Sequence, residues 1–178
     1  MTDYSPGNSL GQRLVLMRHA QAESFASPDS SRGLTDQGSL CAEDVGQWLT
    51  GQDLIPDFAL VSPAIRTRSS WGHLAKWLPH VARAQFDKQL YTGGVDESIE
   101  ALRAATPQAR VVLYLGHNPI VSATALSISR SDDRSHFHTE LAMGMPPAGV
   151  AVLDYAGPWS EIGPDSANLI NFYVGNPG

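Results

Sequence analysis

Hydrophobic positions along the chain follow two rhythms. Arg13-Leu14-Val15-Leu16-Met17, Phe58-Ala59-Leu60-Val61 and Val111-Val112-Leu113-Tyr114-Leu115 are short apolar runs without polar alternation. That is the pattern of strands buried on both faces. Between them the spacing turns helical. Thr35 is an N-cap candidate with Asp36 in the first turn, Cys41, Val45, Trp48 and Leu49 share one face, and Gly51 closes the segment. Ser62-Pro63 predicts a second helix, with Ser as cap and Pro at the first position, and Ala64, Arg68, Trp71, Ala75 and Leu78 carry its face to Pro79. Ala84-Gln85-Phe86 is a weaker strand. Val95, Ile99 and Leu102 predict a short amphipathic helix ending before Pro107, and Asn118-Pro119 caps another that runs to about Arg130.

Strands alternating with helices predict βαβ units on a mostly parallel sheet, hence a three-layer α/β/α sandwich. The C-terminal end departs from this rule. Val150-Ala151-Val152-Leu153 and Leu169-Ile170-Asn171-Phe172-Tyr173 are strands with no helix between them, so antiparallel pairing is expected there. Met1 to Gln12, with Pro6, Gly7 and Gly11, reads as a flexible tail, leaving 13–178 as a single domain. Gln21 to Gly33, rich in Ser, Pro, Asp and Gly, reads as a loop, and Ser131 to Pro147 is a second one.

Composition narrows the function classes. The 178 residues are 42% hydrophobic and 17% charged, the profile of one ordinary globular domain that needs no disulfide or metal staple. Twelve Lys and Arg against eighteen Asp and Glu give a net charge of -6, which argues against nucleic-acid or anionic-membrane partners. Cys41 is the sole cysteine, so an internal disulfide and a four-thiolate zinc site are excluded. The segment Met1 to Gly7 has neither a basic nor an apolar targeting region, and no apolar run approaches the roughly 18 residues of a membrane span. The expectation is a cytoplasmic protein. Its oligomeric state is left open.

Three strand-to-helix junctions carry polar residues: Arg18-His19, Ser62-Pro63-Ala64-Ile65-Arg66 and Gly116-His117-Asn118-Pro119. In a parallel sheet the carboxyl ends of strands share one edge, where ligands bind. Two arginines and two histidines are therefore candidates for one pocket. Guanidiniums match phosphoryl oxygens in shape and charge, and helix N-termini favour the same anion. A neutral imidazole can act as a nucleophile at phosphorus. Singly, each piece is weak; an isolated His19 reads as a packed histidine and an isolated Arg66 as a surface ion-pair partner.

Together these segments resemble the histidine phosphatase (phosphoglycerate mutase-like) superfamily. Leu16-Met17-Arg18-His19-Ala20 is similar to its Arg-His-Gly signature, with Ala20 in place of Gly, and Leu34-Thr35-Asp36-Gln37-Gly38 to its L-T-x-x-G helix start. Val61 to Arg66 resembles its S-P-x-x-R block, followed by Thr67 and Ser70 where Ala and Thr are usual, and Gly116-His117-Asn118-Pro119 resembles its second-histidine block. The order and spacing agree from Arg13 to about Leu126. With only 51 positions between Arg66 and His117, and with Arg32-Gly33-Leu34-Thr35 similar to R-P-L-T, the resemblance is to the small SixA-type branch. It implies a phosphatase without cofactor or metal, in which His19 is phosphorylated while Arg18, Arg66 and His117 clamp the phosphoryl group. Asn118 and Arg32 are further candidates for substrate contact.

The implied substrate is phosphohistidine on a protein. A small phosphomonoester is the alternative, and a catalytically inactive phosphate-recognition module is the rival outside the enzyme class. A general acid, where one exists, falls to Asp96, Glu97 or Glu23. His136 and His138 could ligate a metal, but a loop or edge strand is the simpler expectation. Asp132-Asp133 reads as a solvated loop, Cys41 as packing, and Trp48, Trp71 and Trp77 as helical core or partly buried residues.

Overall fold

Six strands build one sheet in the order β3-β2-β4-β1-β5-β6. They are β1 (Gln12–Arg18), β2 (Phe58–Val61), β3 (Arg83–Phe86), β4 (Val111–Gly116), β5 (Gly149–Tyr155) and β6 (Asn168–Val174). This computed structural model describes residues 11–178 apart from 82, 106, 133 and 134. Most of the tail expected at Met1 to Gln12, and Asp133 of the Asp132-Asp133 pair, lie outside the described residues. Gln12 itself already belongs to β1.

The pairings β3–β2, β2–β4 and β4–β1 are parallel, and β1–β5 and β5–β6 are antiparallel. The helices are α1 (Asp36–Gly51), α2 (Ile65–Ala75), α3 (Gln89–Thr92), α4 (Val95–Arg103), α5 (Ile120–Ile128) and α6 (His136–Ala142). Val15, Met17, Val61, Leu113 and Leu115 pack on one face against Val45 and Leu49 of α1 and Trp71 and Leu74 of α2. Leu14, Leu16, Leu60 and Val112 pack on the other against Ile99 and Leu102 of α4 and Val121, Ala125 and Ile128 of α5. The result is the three-layer α/β/α sandwich. Full burial of Leu14 to Met17 and of Val112 to Leu115 explains why these runs show no alternation.

Several helix boundaries differ from expectation, and at Ser62 and Asn118 a tertiary bond is the reason. Thr35 does cap α1, its hydroxyl accepting from Gly38 N at 3.0 Å. Ser62 does not cap α2. The helix starts at Ile65 behind Ala64, and the Ser62 hydroxyl is spent on His117 instead. Asn118 does not cap α5, because its side chain bonds Met145 O and Ser122 Oγ. α2 ends at Ala75, so Trp77 lies beyond it and is half exposed. Arg68 is not on the core face: it is exposed and sits over the Phe86 ring at 5.2 Å. The expected loop Ser131 to Pro147 contains α6, capped by Ser135, so His136 and His138 are helical rather than loop or edge-strand residues.

α1 and α2 touch so closely that a Cβ on Gly46 would lie 2.2 Å from the Leu74 carbonyl oxygen. Gly46→Ala must push the helices apart, at up to about 3 kcal/mol. That exceeds the roughly 1 kcal/mol that alanine adds in helix propensity. A lower urea midpoint at unchanged slope is the expected result.

Candidate active site

Strand register decides which residues meet. Arg18 is paired with Gly116 across β1–β4, and Val61 with Leu115 across β2–β4. The three chains therefore leave the sheet at one level. His19 N donates to Gly116 O and Ser62 N to Leu115 O, each at 3.0 Å, which holds the next residues side by side. The His19 and His117 ring centroids come to lie 5.2 Å apart, inclined at 59°. Arg66 enters from the first turn of α2 and is buried.

The two imidazoles are not equivalent. His19 Nδ1 lies 2.7 Å from the Ala20 carbonyl oxygen. A carbonyl only accepts, so Nδ1 carries the proton and Nε2 carries the lone pair. Burial, helped by the charges of Arg66, Arg18 and Arg32, pushes the His19 pKa down to about 4 against the pull of the Ala20 bond. Burial and Arg66 push His117 down to about 3. His117 Nε2 lies 2.7 Å from Ser62 Oγ, while its Nδ1 is buried without a partner. A serine that donates to Nε2 leaves the proton on Nδ1, where it is uncommitted.

The arginines are tethered by their outer nitrogens. Arg18 Nη1 donates to Met145 O at 3.0 Å, and Arg66 donates to Asp29 through Nη1 (to the backbone O, 3.0 Å) and Nη2 (to Oδ2, 3.1 Å). Both Nε atoms are buried without partners. The tether on Arg18 also holds Asn118, whose Nδ2 donates to the same Met145 carbonyl at 2.8 Å. Asn118 is thus at the site, with its amide bonded to the protein. Arg32 donates to Asp29 Oδ1 and to Glu23 O from the loop at the mouth. Ala20, fully buried, donates its N–H to Ser70 Oγ at 3.0 Å, and Ser70 donates to Arg66 O. Two of the departures from the family motifs, Ala20 and Ser70, are thereby joined.

Unpartnered Nε atoms on Arg18 and Arg66 and an unpartnered Nδ1 on His117 thus accompany the lone pair of His19, a set chemically suited to a tetrahedral oxyanion. The sequence reasoning missed two residues of this site. Asp29, in a 3-10 turn Asp29–Ser31, accepts from Arg66, Arg32 and Tyr91. Tyr91 in α3 sets its ring edge-on to His117 at 5.4 Å. The nearest signal was Asp29 three residues before Arg32, hidden in a stretch that reads as solvated loop. Beside Tyr91 a cavity of about 440 Å³ is lined by Ser30, Pro63, Ala64, Phe86 and Lys88. The three carboxylates expected as acids make no bond to the four central side chains among the described residues. Glu97 caps α4 by accepting from Gly94 N at 2.7 Å, and hydrogen bonds from its own backbone N–H and from Gly94 hold its carboxyl below the ordinary range. Asp96 lies exposed in that same first turn, and Glu23 is exposed in the first loop. No group of three metal-ligating side chains exists among the described residues, and no helix there is long and apolar enough to cross a membrane.

The comparisons with known proteins agree with this architecture. No family model matches the chain. A solved chain from Nakamurella multipartitia, named for the SixA phosphohistidine phosphatases, is 33% identical, with a TM-score of 0.81 over 92% of this chain and 95% of that one. The protein histidine phosphatase SixA complexed with tungstate has a TM-score of 0.74 at 21% identity, over 93% and 97% of the two chains. An uncharacterised protein of Mycobacterium tuberculosis is 31% identical over 162 residues, 89% of this chain and 99% of its own. The chain belongs to the histidine phosphatase superfamily, within its SixA-type branch.

Neutral, buried histidines make stability depend on pH with a definite sign. In the unfolded chain His19 takes up a proton near its ordinary 6.5, but in the folded protein only near 4. Its contribution is complete above pH 6.5 and is lost as the pH falls toward 4. Urea unfolding at pH 7 and pH 5 should show a drop of about 2 kcal/mol from this residue. His19→Gln should remove that share of the dependence; an unaltered pH slope in the variant would contradict the burial account.

Proposed function

We propose that this protein is a phosphatase that works through a phosphohistidine intermediate on His19 and acts on phosphohistidine carried by proteins. One observation carries the reading: a buried imidazole with its proton committed to Ala20 O and its lone pair free, beside unpartnered nitrogens on Arg18, Arg66 and His117. The relative that holds tungstate, a tetrahedral oxyanion in place of phosphate, supports the phosphoryl assignment.

In this scheme Arg18, Arg66 and His117 bind the phosphoryl oxygens and spread their charge as the bond to the leaving group lengthens. His19 Nε2 attacks phosphorus in line, and the electron pair of the breaking bond departs with the leaving group. Nδ1–H, held on Ala20 O, keeps the ring in the attacking tautomer and shares the positive charge that forms. Water then attacks the phosphorus of phosphorylated His19. Both water protons leave with the phosphate as dihydrogenphosphate, and neutral Nε2 is restored. The scheme calls on no cofactor and no metal. We propose further that 13–178 acts as one domain, in the cytoplasm.

The leaving group separates the phosphohistidine reading from its small-phosphomonoester alternative. An alkoxide needs a proton in the transition state, whereas an imidazole arrives already protonated on its far nitrogen. The carboxylates around this site are poor acids. Glu97 is tied to its helix cap, and Asp29 is held below the ordinary carboxylate range, chiefly by Arg32. An inactive binding module would have no use for a neutral, oriented imidazole.

His19→Ala is expected to abolish turnover of p-nitrophenyl phosphate while phosphate still binds. A trapped phosphoenzyme should be acid-labile and alkali-stable, as a P–N bond is; an acid-stable label would overturn the intermediate. Arg66→Lys keeps charge but loses the fork, and should cost about 2–4 kcal/mol in kcat/KM. Alanine at Asp96, Glu97 or Glu23 should change phosphohistidine turnover by less than about tenfold, since removing an acting general acid costs at least a hundredfold.

A further inference from the structure

We propose that the Asp29 carboxylate is the leaving-group selector of this site, accepting a hydrogen bond from the far N–H of a departing imidazole and disfavouring alkoxides. The inference rests on the phosphohistidine reading above and names the residue that enforces it.

The placement follows from burial. In-line attack by His19 requires the leaving group to depart on the side away from Nε2. His19 and Arg66 form the floor of the site, 8% and 5% exposed. The Asp29 side chain, in contact with Arg66, is 56% exposed, so it stands at the mouth. Tyr91 spans the two levels. Its ring is edge-on to His117 and lies 5.8 Å from the Arg66 guanidinium carbon, and its hydroxyl donates to Asp29 Oδ2 at 3.2 Å. The 440 Å³ cavity bounded by Tyr91, with Ser30 next to Asp29 in its wall, is large enough for a ring-sized group beside this collar.

Two cations and a phenol hold the carboxylate without neutralising its acceptor capacity. Oδ1 accepts from Arg32, and Oδ2 accepts from Arg66 and Tyr91. A carboxylate offers about four lone-pair sites, so one remains open toward solvent. The Arg32 bond keeps the group ionised, so it has no proton to give.

The step then balances without a proton donor. The substrate imidazole carries a proton on its far nitrogen and the phosphoryl group on the near one. His19 Nε2 forms the new N–P bond, the old N–P bond breaks, and its electron pair stays on the near nitrogen. A neutral imidazole departs with its far proton still bonded to Asp29. For an alkyl phosphate the same carboxylate faces a developing negative oxygen, and like charges repel.

The test compares N-phosphoimidazole, p-nitrophenyl phosphate and ethyl phosphate as substrates of the wild type, Asp29→Asn and Asp29→Glu. Asp29→Asn keeps size but loses charge, and both aryl and imidazole substrates should lose some turnover because Arg66 is less well held. The telling readout is the ratio. Relative to p-nitrophenyl phosphate, kcat/KM for N-phosphoimidazole should fall about tenfold or more, the worth of one charge-assisted hydrogen bond. Ethyl phosphate should gain on both, and Asp29→Glu should restore much of the original ratio. Equal losses on all substrates would make Asp29 merely a support for Arg66 and overturn the selector. A wild type that hydrolyses p-nitrophenyl phosphate but not N-phosphoimidazole would overturn the phosphohistidine reading itself, and the selector with it.

Discussion

Two imidazoles can stand 5.2 Å apart beside two guanidiniums only when both imidazoles are neutral. A proton on either would meet unpaired positive charge in a desolvated site, at a cost far above what a surface histidine pays. Burial settles the matter by lowering both pKa values well below neutrality. The rest of the site follows from that constraint. Neutral His19 retains a lone pair, neutral His117 keeps one ring nitrogen uncommitted, and the net positive field of the arginines is left for an anion.

The sheet supplies the geometry that makes the constraint possible. β1 and β4 are central, buried over Leu14 to Met17 and Val112 to Leu115, and parallel, so their carboxyl ends emerge together. The antiparallel strand β5 completes the pocket from the other direction: the segment leading into it carries Met145, whose carbonyl holds both Arg18 and Asn118, and Ala148 N donates to His19 O. The mixed topology thus has a local use. A carbonyl at the beginning of an antiparallel strand reaches the same edge as the ends of parallel ones.

Around this floor the polar groups are arranged in tiers. Ser62, Ser70 and the Ala20 backbone fix the buried residues, and Asp29, Arg32 and Tyr91 form an exposed collar. An ionised carboxylate there suits a departing group that brings its own N–H. A protonated one would suit an alkoxide.

How much of this was legible in the sequence depends on the range of the interaction. The buried runs Leu14 to Met17 and Val112 to Leu115, the cap at Thr35 and the amphipathic spacing of Val95, Ile99 and Leu102 are local, and they marked strands and helices correctly. The junction residues Arg18, His19, Arg66 and His117 were also readable, because parallel strands send their ends to one edge whatever their order. Local rules failed where a side chain had a distant competitor. Ser62 was expected to cap its own helix and bonds His117, 55 positions away; Asn118 was expected to do the same and bonds Met145. Asp29 sits in a polar stretch with no periodicity, and nothing local distinguishes it from a solvated turn. Its role at Arg66 exists only because the loop folds over the sheet edge and brings it within 3.1 Å of a buried guanidinium. Short-range patterning determined the elements and the residues gathered on the floor of the site. Only tertiary structure, through register and burial, decided which tautomer His19 holds, which donors stay free, and which carboxylate stands at the mouth.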